Sequence, residues 1–302
     1  MSPLPVNLVH WRQPEWCADA ARSVLASDTP VALTIVNNSP ELDAELRERL
    51  PAGVDVVTCP GNTGYAGAAN VALGRWITGD DDLVVVGAHD MNPDPSTLRT
   101  MVEAAIAHPE YGVIGPVLRS KESGASSAVA VTDPTRVLND VDWVSGTCLL
   151  LRRGCIDDIG GFDEAYGSYC EDSDLCRRAR LAGWKVGLCP AAEVGDLGSG
   201  DPVARRVATI NYARRDRLHH GVAAGMRQLL RIAWELVVSA VGAIVPTRPA
   251  DLRRSSLHRV RNNVAALRRI PVVWAQPRTD LDPAAAAALP TYRTEASGSS
   301  GP

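Results

Sequence analysis

The sequence predicts an α/β fold in which helices flank a mostly parallel, Rossmann-like sheet, followed by a helical C-terminal extension. Short apolar runs alternate with helix-like segments over the first two thirds of the chain, as in strands that are joined by crossover helices. The run Asp82-Leu-Val-Val-Val86 is continuously apolar after its first residue, as expected of a strand that is buried on both faces. With 302 residues, 45% of them hydrophobic, the chain is long enough for one large domain and an appendage.

The strand ends predict where a ligand would bind. The predicted strands are Val6–Val9, Val31–Val36, Val54–Val57 and Asp82–Val86, and the predicted helices are Glu15–Ala26, Glu41–Leu50 and Ala66–Trp76. Ligands of open α/β sheets bind beyond the carboxyl ends of the strands. We therefore expect one crevice to be lined by the side chains at or just past these ends: His10, Asn37, Asn62 and Asp90.

Composition divides the chain into three predicted parts. Residues 1–204 form the α/β domain, residues 205–275 form a basic helical region, and residues 276–302 form a disordered tail that is rich in alanine, serine and glycine. The whole chain has a formal charge of −4. Residues 205–269 nevertheless hold 14 arginines and only three acidic residues, a formal charge of +11.

The basic region contains the apolar run 232–245, which is too short and too interrupted to span a bilayer. Such a segment suits a membrane face or an anionic partner. A helix packed on its own domain with a solvated basic side explains it equally well. Nucleic acid is not expected, because residues 205–269 have one tryptophan and one tyrosine and no interleaved aromatic platform.

Seven cysteines without a C-x-x-C pair indicate buried thiols in a reducing compartment, not a disulfide framework or a zinc site. The N-terminus has no basic stretch followed by an apolar run, so we expect no secretory signal. The expected location is the cytoplasm, with peripheral contact at the inner face of the membrane through the basic region.

Five carboxylates lie close together in the sequence: Asp163, Glu164, Glu171, Asp172 and Asp174. Neighbouring carboxylates repel and raise one another's proton affinity, so clustering them favours a cation site, a polyhydroxyl ligand or a proton-transfer step. The alternative is structural. The acids at 171–174 would then occupy the first turn of a helix and complement its dipole.

The segment Asn62-Thr-Gly-Tyr-Ala-Gly-Ala-Ala-Asn70 follows a strand and opens a helix. Its glycines permit close backbone approach, and its first amides can face a phosphate or a ribose. A dinucleotide-binding fingerprint is an alternative, but the glycine spacing differs and the segment follows the third strand, not the first. A purely structural helix start explains the glycines but not the paired asparagines.

The segment His89-Asp-Met-Asn-Pro-Asp94 ends the buried strand, where Asp90 is placed to hold Mg²⁺ or Mn²⁺ against a diphosphate. A calcium-binding EF-hand loop matches only its start, since Pro95 and Met101 stand where glycine and glutamate are needed. A plain turn is the remaining alternative.

Five motifs in a fixed order carry a family resemblance: Val36-Asn-Asn-Ser39, Asn62 to Asn70, Trp143-Val-Ser-Gly-Thr147, Gly160-Gly-Phe-Asp-Glu164 and Glu171-Asp-Ser-Asp174. Over about residues 5–220 the chain resembles the family 2 glycosyltransferases of the GT-A fold, and among them the bacterial rhamnosyltransferase-like branch. The resemblance implies inverting transfer of a sugar from a UDP- or dTDP-sugar to an acceptor hydroxyl, with Mg²⁺ or Mn²⁺. The acceptor would be a glycan, a lipid-linked sugar or a small molecule.

The resemblance also implies roles for residues within 1–204, the part that would bind the nucleotide-sugar and catalyse transfer. Asp172 would be the general base, Glu171 the second candidate for it, and Asp163 would orient sugar or acceptor hydroxyls. The residues implied to contact the nucleotide or donor sugar are His10, Asn37, Asn62, Gly64, Asn70, His89, Trp143 and Gly146.

Three positions depart from the family pattern. Asn37 stands where the family has a nucleotide-contacting aspartate, and Ala88 replaces the first aspartate of the D-x-D metal motif. Asp196 stands where a histidine often follows the acceptor block. A carboxylate is a harder ligand than imidazole, so we expect Asp90 and Asp196 to share the metal ion.

Two other functions are compatible with the sequence. A degenerate glycosyltransferase domain would bind nucleotide or glycan without turnover, as the changes at Asn37 and Ala88 suggest. Donor hydrolysis that depends on Mg²⁺ separates this function from catalysis. A nicotinamide-dependent oxidoreductase rests on the glycine pattern alone and would bind NAD.

Overall fold

The computed structural model describes residues 2–120, 133–196, 202–245, 249–279 and 281–295. In these residues the strands are β1 Leu4–His10, β2 Val31–Asn37, β3 Asp55–Thr58, β4 Leu83–Ala88, β5 Met91–Pro93, β6 Tyr111–Ser120, β7 Asn139–Asp140, β8 Cys148–Arg152, β9 Lys185–Asp196 and β10 Thr291–Arg293. The helices are α1 Pro14–Leu25, α2 Asp43–Arg49, α3 Gly64–Trp76, α4 Thr97–Ala107, α5 Arg153–Ile159, α6 Glu171–Leu181, α7 Pro202–His220, α8 Val222–Ile244, α9 Ala250–Arg268, α10 Ile270–Ala275 and α11 Pro283–Ala287.

The strands of the described residues form one mixed sheet in the order β10-β3-β2-β1-β4-β8-β6-β9-β5, with β7 against β9. The pairs among β3, β2, β1 and β4 are parallel, as predicted, but β8 is antiparallel to both of its neighbours. The sheet is therefore parallel among its N-terminal strands and between β6 and β9, and antiparallel around β8 and at the edge strands β10 and β5. Strand β8 is a short apolar run that is almost entirely buried, and such a run gives no sign of strand direction.

The strand register brings the predicted crevice residues to one edge of the sheet. His10 pairs with Asn37 across β1 and β2, and Asn37 pairs with Thr58 across β2 and β3. On the other side of β1, Val9 pairs with Ala88. The polar residues that end these strands are therefore neighbours in space.

Alternating residues of the central strands fill two cores, one on each face of the sheet. Leu8 and Ile35 pack in the core formed with α1 and α4, and Val9 and Val36 pack in the core formed with α3, α5 and α6. This arrangement places a layer of helices on each face, which is the three-layer architecture expected for a buried α/β sheet.

The chain divides into two compact units. The first comprises residues 1–163, 171–199 and 280–302, and the second comprises residues 164–170 and 200–279. The second unit contains α7 to α10 and a small core built around Ile210, Ala213 and Ile232. None of the helices in the described residues is long and apolar enough to cross a membrane. The functions assigned above to parts of the chain remain predictions.

Much of the C-terminal segment that was predicted to be disordered is folded. Strand β10 pairs antiparallel with β3, where Thr291 lies opposite Val57. The Thr294 hydroxyl donates to the Pro51 carbonyl at 2.6 Å, and Ala286 of α11 is buried. The prediction is therefore wrong for residues 281–295, because small alanine side chains let α11 pack closely on α3. Residues 280 and 296–302 of the predicted tail lie outside the described residues.

Candidate active site

His10 and Asn37 form a polar pair at the ends of β1 and β2. His10 Nδ1 lies 2.9 Å from Asn37 Oδ1, and this oxygen also accepts the Ser39 N–H at 3.0 Å. Asn37 Nδ2 donates to Asp43 at 3.0 Å, which fixes the orientation of the amide because a carboxylate only accepts. His10 Nδ1 therefore carries the proton. The other ring nitrogen of His10, Nε2, is a buried acceptor that has no partner among the described residues.

The environment of this pair keeps the imidazole neutral. Burial lowers the pKa of His10 to about 4, although the hydrogen bond to Asn37 acts in the opposite direction. Both side chains are completely buried. The structure thus brings His10 and Asn37 together as predicted, with both side chains buried beneath the ends of β1 and β2. Direct contact with a nucleotide remains a prediction for both.

Asp43 links the residues around His10 and Asn37, and no sequence pattern indicated this role. It accepts hydrogen bonds from Asn37, from the Thr58 hydroxyl at 2.8 Å and from the Tyr292 hydroxyl at 3.1 Å, and it pairs with Arg47 at 2.8 Å. Burial acts to raise the pKa of Asp43, but these hydrogen bonds outweigh it and hold the pKa below its usual range. The partners come from β2, β3, α2 and β10, so no local motif reveals the site.

Asn38 shapes the loop that leads into α3. Its Oδ1 accepts the Thr63 N–H at 2.9 Å, and its Nδ2 donates to Asn62 Oδ1 at 3.0 Å. Asn62 Oδ1 also accepts the Gly64 N–H at 2.9 Å. Gly64 has a φ of +74°, which glycine adopts without a steric penalty. The predicted residues Asn62 and Gly64 therefore build this turn, and Asn38, which was not predicted, holds it in place.

Asn70 supports a second loop. Its Oδ1 accepts the Phe162 N–H at 2.7 Å, and its Nδ2 donates to the Phe162 carbonyl at 2.9 Å. This two-point contact fixes the loop that carries Asp163, whose side chain is fully buried. The structure thus gives Asn70 a positioning role that the sequence did not predict. A donor contact from Asn70 remains a prediction.

The catalytic candidates meet at the start of α6. The Gly146 N–H donates to Asp172 Oδ2 at 3.0 Å, and the Ser173 N–H donates to Asp172 Oδ1 at 2.7 Å. The Tyr65 hydroxyl donates to the Gly146 carbonyl at 2.5 Å. Gly146 is therefore held by Tyr65 through its carbonyl and by Asp172 through its N–H. The sequence prediction included Gly146 and Asp172 but not Tyr65, although Tyr65 lies inside the Asn62–Asn70 motif.

Burial controls the proton affinity of this group of side chains. It raises the pKa of Glu171 well above its usual range, and the charge of Asp172 raises it further. It also raises the pKa of Asp172, against the effect of the hydrogen bonds from Gly146 and Ser173. Glu171 Oε2 is buried and has no hydrogen-bond partner among the described residues. Two adjacent carboxyls with raised proton affinity are typical of proton-transfer sites.

Not every acid of the cluster belongs to this site. Asp174 is buried and pairs with Arg178 at 2.8 Å, one turn later in α6. Arg178 also donates to the carbonyls of Ile159 and Gly161 at 2.8 Å each. The structural alternative therefore applies to Asp174, which anchors α6 to the preceding loop.

The backbones of the two predicted metal ligands, Asp90 and Asp196, lie close together in space. Met91 of β5 pairs with Asp196 of β9, and Asp90 directly precedes Met91. Asp90 is buried. No group of three or more His, Cys, Asp and Glu side chains suited to a metal ion occurs in the described parts of the chain. Two carboxylates completed by substrate phosphates are nevertheless a common way to hold Mg²⁺. A metal site shared by Asp90 and Asp196 remains a prediction.

His89 and Trp143 occupy contrasting environments. His89 is buried, with Nδ1 at 3.1 Å from the Val9 carbonyl and Nε2 at 3.1 Å from Gln13 Oε1, so it joins the end of β4 to β1 and α1. Burial lowers the pKa of His89. Trp143 has 54% of its surface exposed. Trp143 therefore has surface available for a ligand, whereas His89 lies inside the structural framework.

Comparison with known proteins identifies the family. The family model described as "Glycosyltransferase like family 2" matches residues 8–219. A relative in Mycobacterium tuberculosis (strain CDC 1551 / Oshkosh), N-acetylglucosaminyl-diphospho-decaprenol L-rhamnosyltransferase, is 28% identical over 207 residues, which cover 56% of this chain and 67% of that protein.

Two solved structures share the fold. The mannosyltransferase PcManGT from Pyrobaculum calidifontis, in complex with GDP-Man and Mn²⁺, has a TM-score of 0.54 at 14% identity, covering 91% of this chain and 88% of that chain. Residues 1–349 of S. aureus TarS, in complex with UDP-GlcNAc, have a TM-score of 0.51 at 12% identity, covering 89% of this chain and 72% of that chain. At these identities the likeness shows the GT-A-like α/β fold alone. Because the family model matches well over half of the chain, the protein belongs to glycosyltransferase family 2.

Proposed function

We propose that the protein is an inverting glycosyltransferase that moves a sugar from a UDP- or dTDP-sugar to an acceptor hydroxyl with a divalent cation. Membership of family 2 supports sugar transfer. The observation that carries the proposal is the Tyr65–Gly146–Asp172 arrangement beside the buried Glu171. It holds one carboxylate in a fixed direction, and burial raises the pKa of that carboxylate, as a general base requires.

Asp172 is the proposed base. Each of its carboxylate oxygens accepts one backbone N–H, which orients the group and leaves a further lone pair on each oxygen. A raised pKa makes Asp172 a stronger proton acceptor than an exposed aspartate. Glu171 is the second candidate. When Glu171 keeps its proton, it can donate a hydrogen bond to a sugar hydroxyl, and Asp163 would orient further hydroxyls.

The nucleotide is proposed to bind at the strand ends. His10 and Asn37 lie buried beneath these strand ends, and the loop fixed by Asn38 contains Asn62 and leads into the first amides of α3. Amides at a helix N-terminus favour an anionic ligand such as a diphosphate. The TarS fragment was solved with UDP-GlcNAc and the mannosyltransferase with GDP-Man. The nucleotide base therefore varies among proteins that share this fold. The proposal of a uridine or thymidine nucleotide rests on the resemblance of the motifs.

Asp90 and Asp196 are the proposed holders of Mg²⁺ or Mn²⁺. When bound, the ion would stabilise the negative charge that develops on the departing diphosphate. The backbone pairing of Met91 with Asp196 supports a shared site. The Mn²⁺ in the mannosyltransferase complex supports the use of a divalent metal in this fold.

The proposed acceptor is a lipid-linked sugar, with another glycan or a small molecule as the alternatives. The printed name of the mycobacterial relative includes a diphospho-decaprenol acceptor. An acceptor of this kind is held at a membrane surface, so the enzyme would work in the cytoplasm at the inner face of the membrane.

The experiment begins with a panel of sugar nucleotides, tested by thermal shift with and without Mg²⁺ to identify the donor. Donor turnover is then measured for Asp172→Asn and for the matched control Asp142→Asn, whose side chain is mostly exposed. Loss of a general base should lower kcat by about 100-fold or more. Nucleotide affinity should stay unchanged, and the control should match the wild type. A near-normal rate in Asp172→Asn would exclude its role as the base.

A catalytically degenerate domain is the second candidate, favoured by Asn37 and Ala88 at positions where the family has aspartates. It predicts nucleotide or glycan binding without turnover. Nucleotide binding with no Mg²⁺-dependent donor hydrolysis across the panel would establish this alternative.

A further inference from the structure

Helix α8 has two contrasting faces. One face carries small or buried residues, including Gly225, Ile232, Ser239 and Gly242, and α8 packs against α7 and α9 within the second unit. Small side chains such as glycine and serine let neighbouring helices approach closely. The inward side of α8 is therefore already satisfied by its own unit.

The opposite face is apolar and exposed. Six of its residues, here called the apolar stripe, recur every three or four positions and expose 43–76% of their surface: Met226, Leu230, Trp234, Val237, Val241 and Ile244. With 23 residues, α8 is about 34 Å long, and the stripe runs along most of it. Soluble proteins rarely leave an apolar surface of this length uncovered. In the first unit, Leu25, Ile106 and Leu181 are exposed on three separate helices.

The surrounding charge indicates what covers the stripe. Arg227 and Arg231 are exposed on α8 near its N-terminal half, whereas residues 236–245 contain no charged side chain. Residues 205–269 carry a formal charge of +11. A second copy of the chain would bring two such regions together and cause repulsion. An anionic surface would attract the region instead.

We propose that α8 lies flat on an anionic bilayer, with the apolar stripe inserted and the neighbouring arginines at the lipid headgroups. Amphipathic helices of this length bind in the interface plane with their apolar face buried in the acyl boundary. Tryptophan suits this boundary because its ring is apolar and its N–H is polar, and Trp234 lies in the middle of the stripe with 67% of its surface exposed. The proposal adds a docking surface that is independent of the transfer chemistry.

The test is co-sedimentation of the full chain with vesicles of phosphatidylcholine, with and without phosphatidylglycerol. The variants are Trp234→Glu and Leu230→Glu, with Ile106→Glu as the matched control, since Ile106 is an exposed apolar residue on α4. Circular dichroism confirms that each variant is folded. Sedimentation velocity without lipid reports the oligomeric state.

We expect the wild type and Ile106→Glu to bind vesicles that contain phosphatidylglycerol. Each stripe variant should bind at least about tenfold more weakly, because a buried apolar group is replaced by a charge. The double variant Arg227→Gln with Arg231→Gln should lose affinity for anionic vesicles and become less sensitive to salt.

Two results would overturn the proposal. Stripe variants that bind vesicles as well as the wild type would show that α8 does not insert. A wild-type dimer that Trp234→Glu converts into a monomer would show that a second copy covers the stripe. Neither measurement needs sugar transfer, so failure here leaves the proposed enzymatic function untouched, and the reverse also holds.

Discussion

The variant Tyr65→Phe removes a single hydroxyl group next to the proposed base and keeps the aromatic ring. That hydroxyl donates to the Gly146 carbonyl at 2.5 Å, and the N–H of the same glycine donates to Asp172 at 3.0 Å. The ring contact of Tyr65 with Phe162, at 6.0 Å between centroids, is retained. The substitution therefore removes the hydrogen bond to the Gly146 carbonyl with little change in packing.

The loss of this hydrogen bond should lower the free energy of unfolding by about 1–3 kcal/mol, because the carbonyl of Gly146 loses its partner. The larger effect is expected on catalysis. Without the bond from Tyr65, Gly146 is held less firmly and its N–H orients Asp172 less well. A small misplacement of a catalytic group costs about 10- to 100-fold in rate. We expect kcat to fall by that factor, while KM for the donor stays nearly unchanged.

The assay combines donor turnover with urea unfolding, and Tyr111→Phe is the matched control. The Tyr111 hydroxyl donates to Asp140 at 2.6 Å, so the control also loses one tyrosine hydrogen bond. The pH profile adds a second readout. The bond from Gly146 lowers the pKa of Asp172, so its weakening should move the acid limb of the activity profile to higher pH. An unchanged kcat, with the same loss of stability in both variants, would refute the positioning role of Tyr65.

Three further variants test other parts of the site. Glu171→Gln should raise the free energy of unfolding at neutral pH: burial raises the pKa of Glu171 in the folded protein, so the stability of the wild type falls as pH rises above the usual value of 4.5. Urea unfolding across pH should show a steeper fall of stability in the wild type than in Glu171→Gln, and an identical slope in both proteins would contradict it. Asn70→Leu should lower the free energy of unfolding by about 2–4 kcal/mol, because the Phe162 N–H and carbonyl both lose their partners. Urea unfolding checks this, and a loss well below 1 kcal/mol would contradict it. Asp90→Asn should abolish the gain in nucleotide affinity that Mg²⁺ provides while leaving metal-free binding intact, as measured by calorimetry. A preserved Mg²⁺ effect would exclude Asp90 as a ligand.

Local patterns were sufficient for the framework of the first unit. The predicted strand at residues 31–36 is β2, Val31–Asn37, and the predicted helix at residues 66–76 is α3, Gly64–Trp76. The spacing of apolar residues along a segment shows which face is buried, and this spacing differs between strands and helices. The same patterns placed His10 and Asn37 at adjacent strand ends, because the carboxyl ends of parallel strands lie at the same edge of the sheet.

Interactions between distant segments were beyond the reach of these patterns. The antiparallel direction of β8, the packing of α11 on α3 and the pairing of β10 with β3 all depend on partners far away in the chain. Composition suggested disorder for the C-terminal segment because alanine and serine lack large apolar surfaces. Small side chains also permit close approach, and only the position of α3 shows which of these two effects dominates.

The sequence by itself determined the family, the α/β fold and the acids that are candidates for chemistry, because motif order and apolar periodicity are properties of neighbouring residues. Only the tertiary structure decided what each candidate does locally: Asn70 positions a loop, Asp174 anchors α6, and Tyr65 holds Gly146, whose N–H orients Asp172. The physical reason is that hydrogen-bond partners and burial, which set the direction and proton affinity of a side chain, are contributed by segments that meet only after folding.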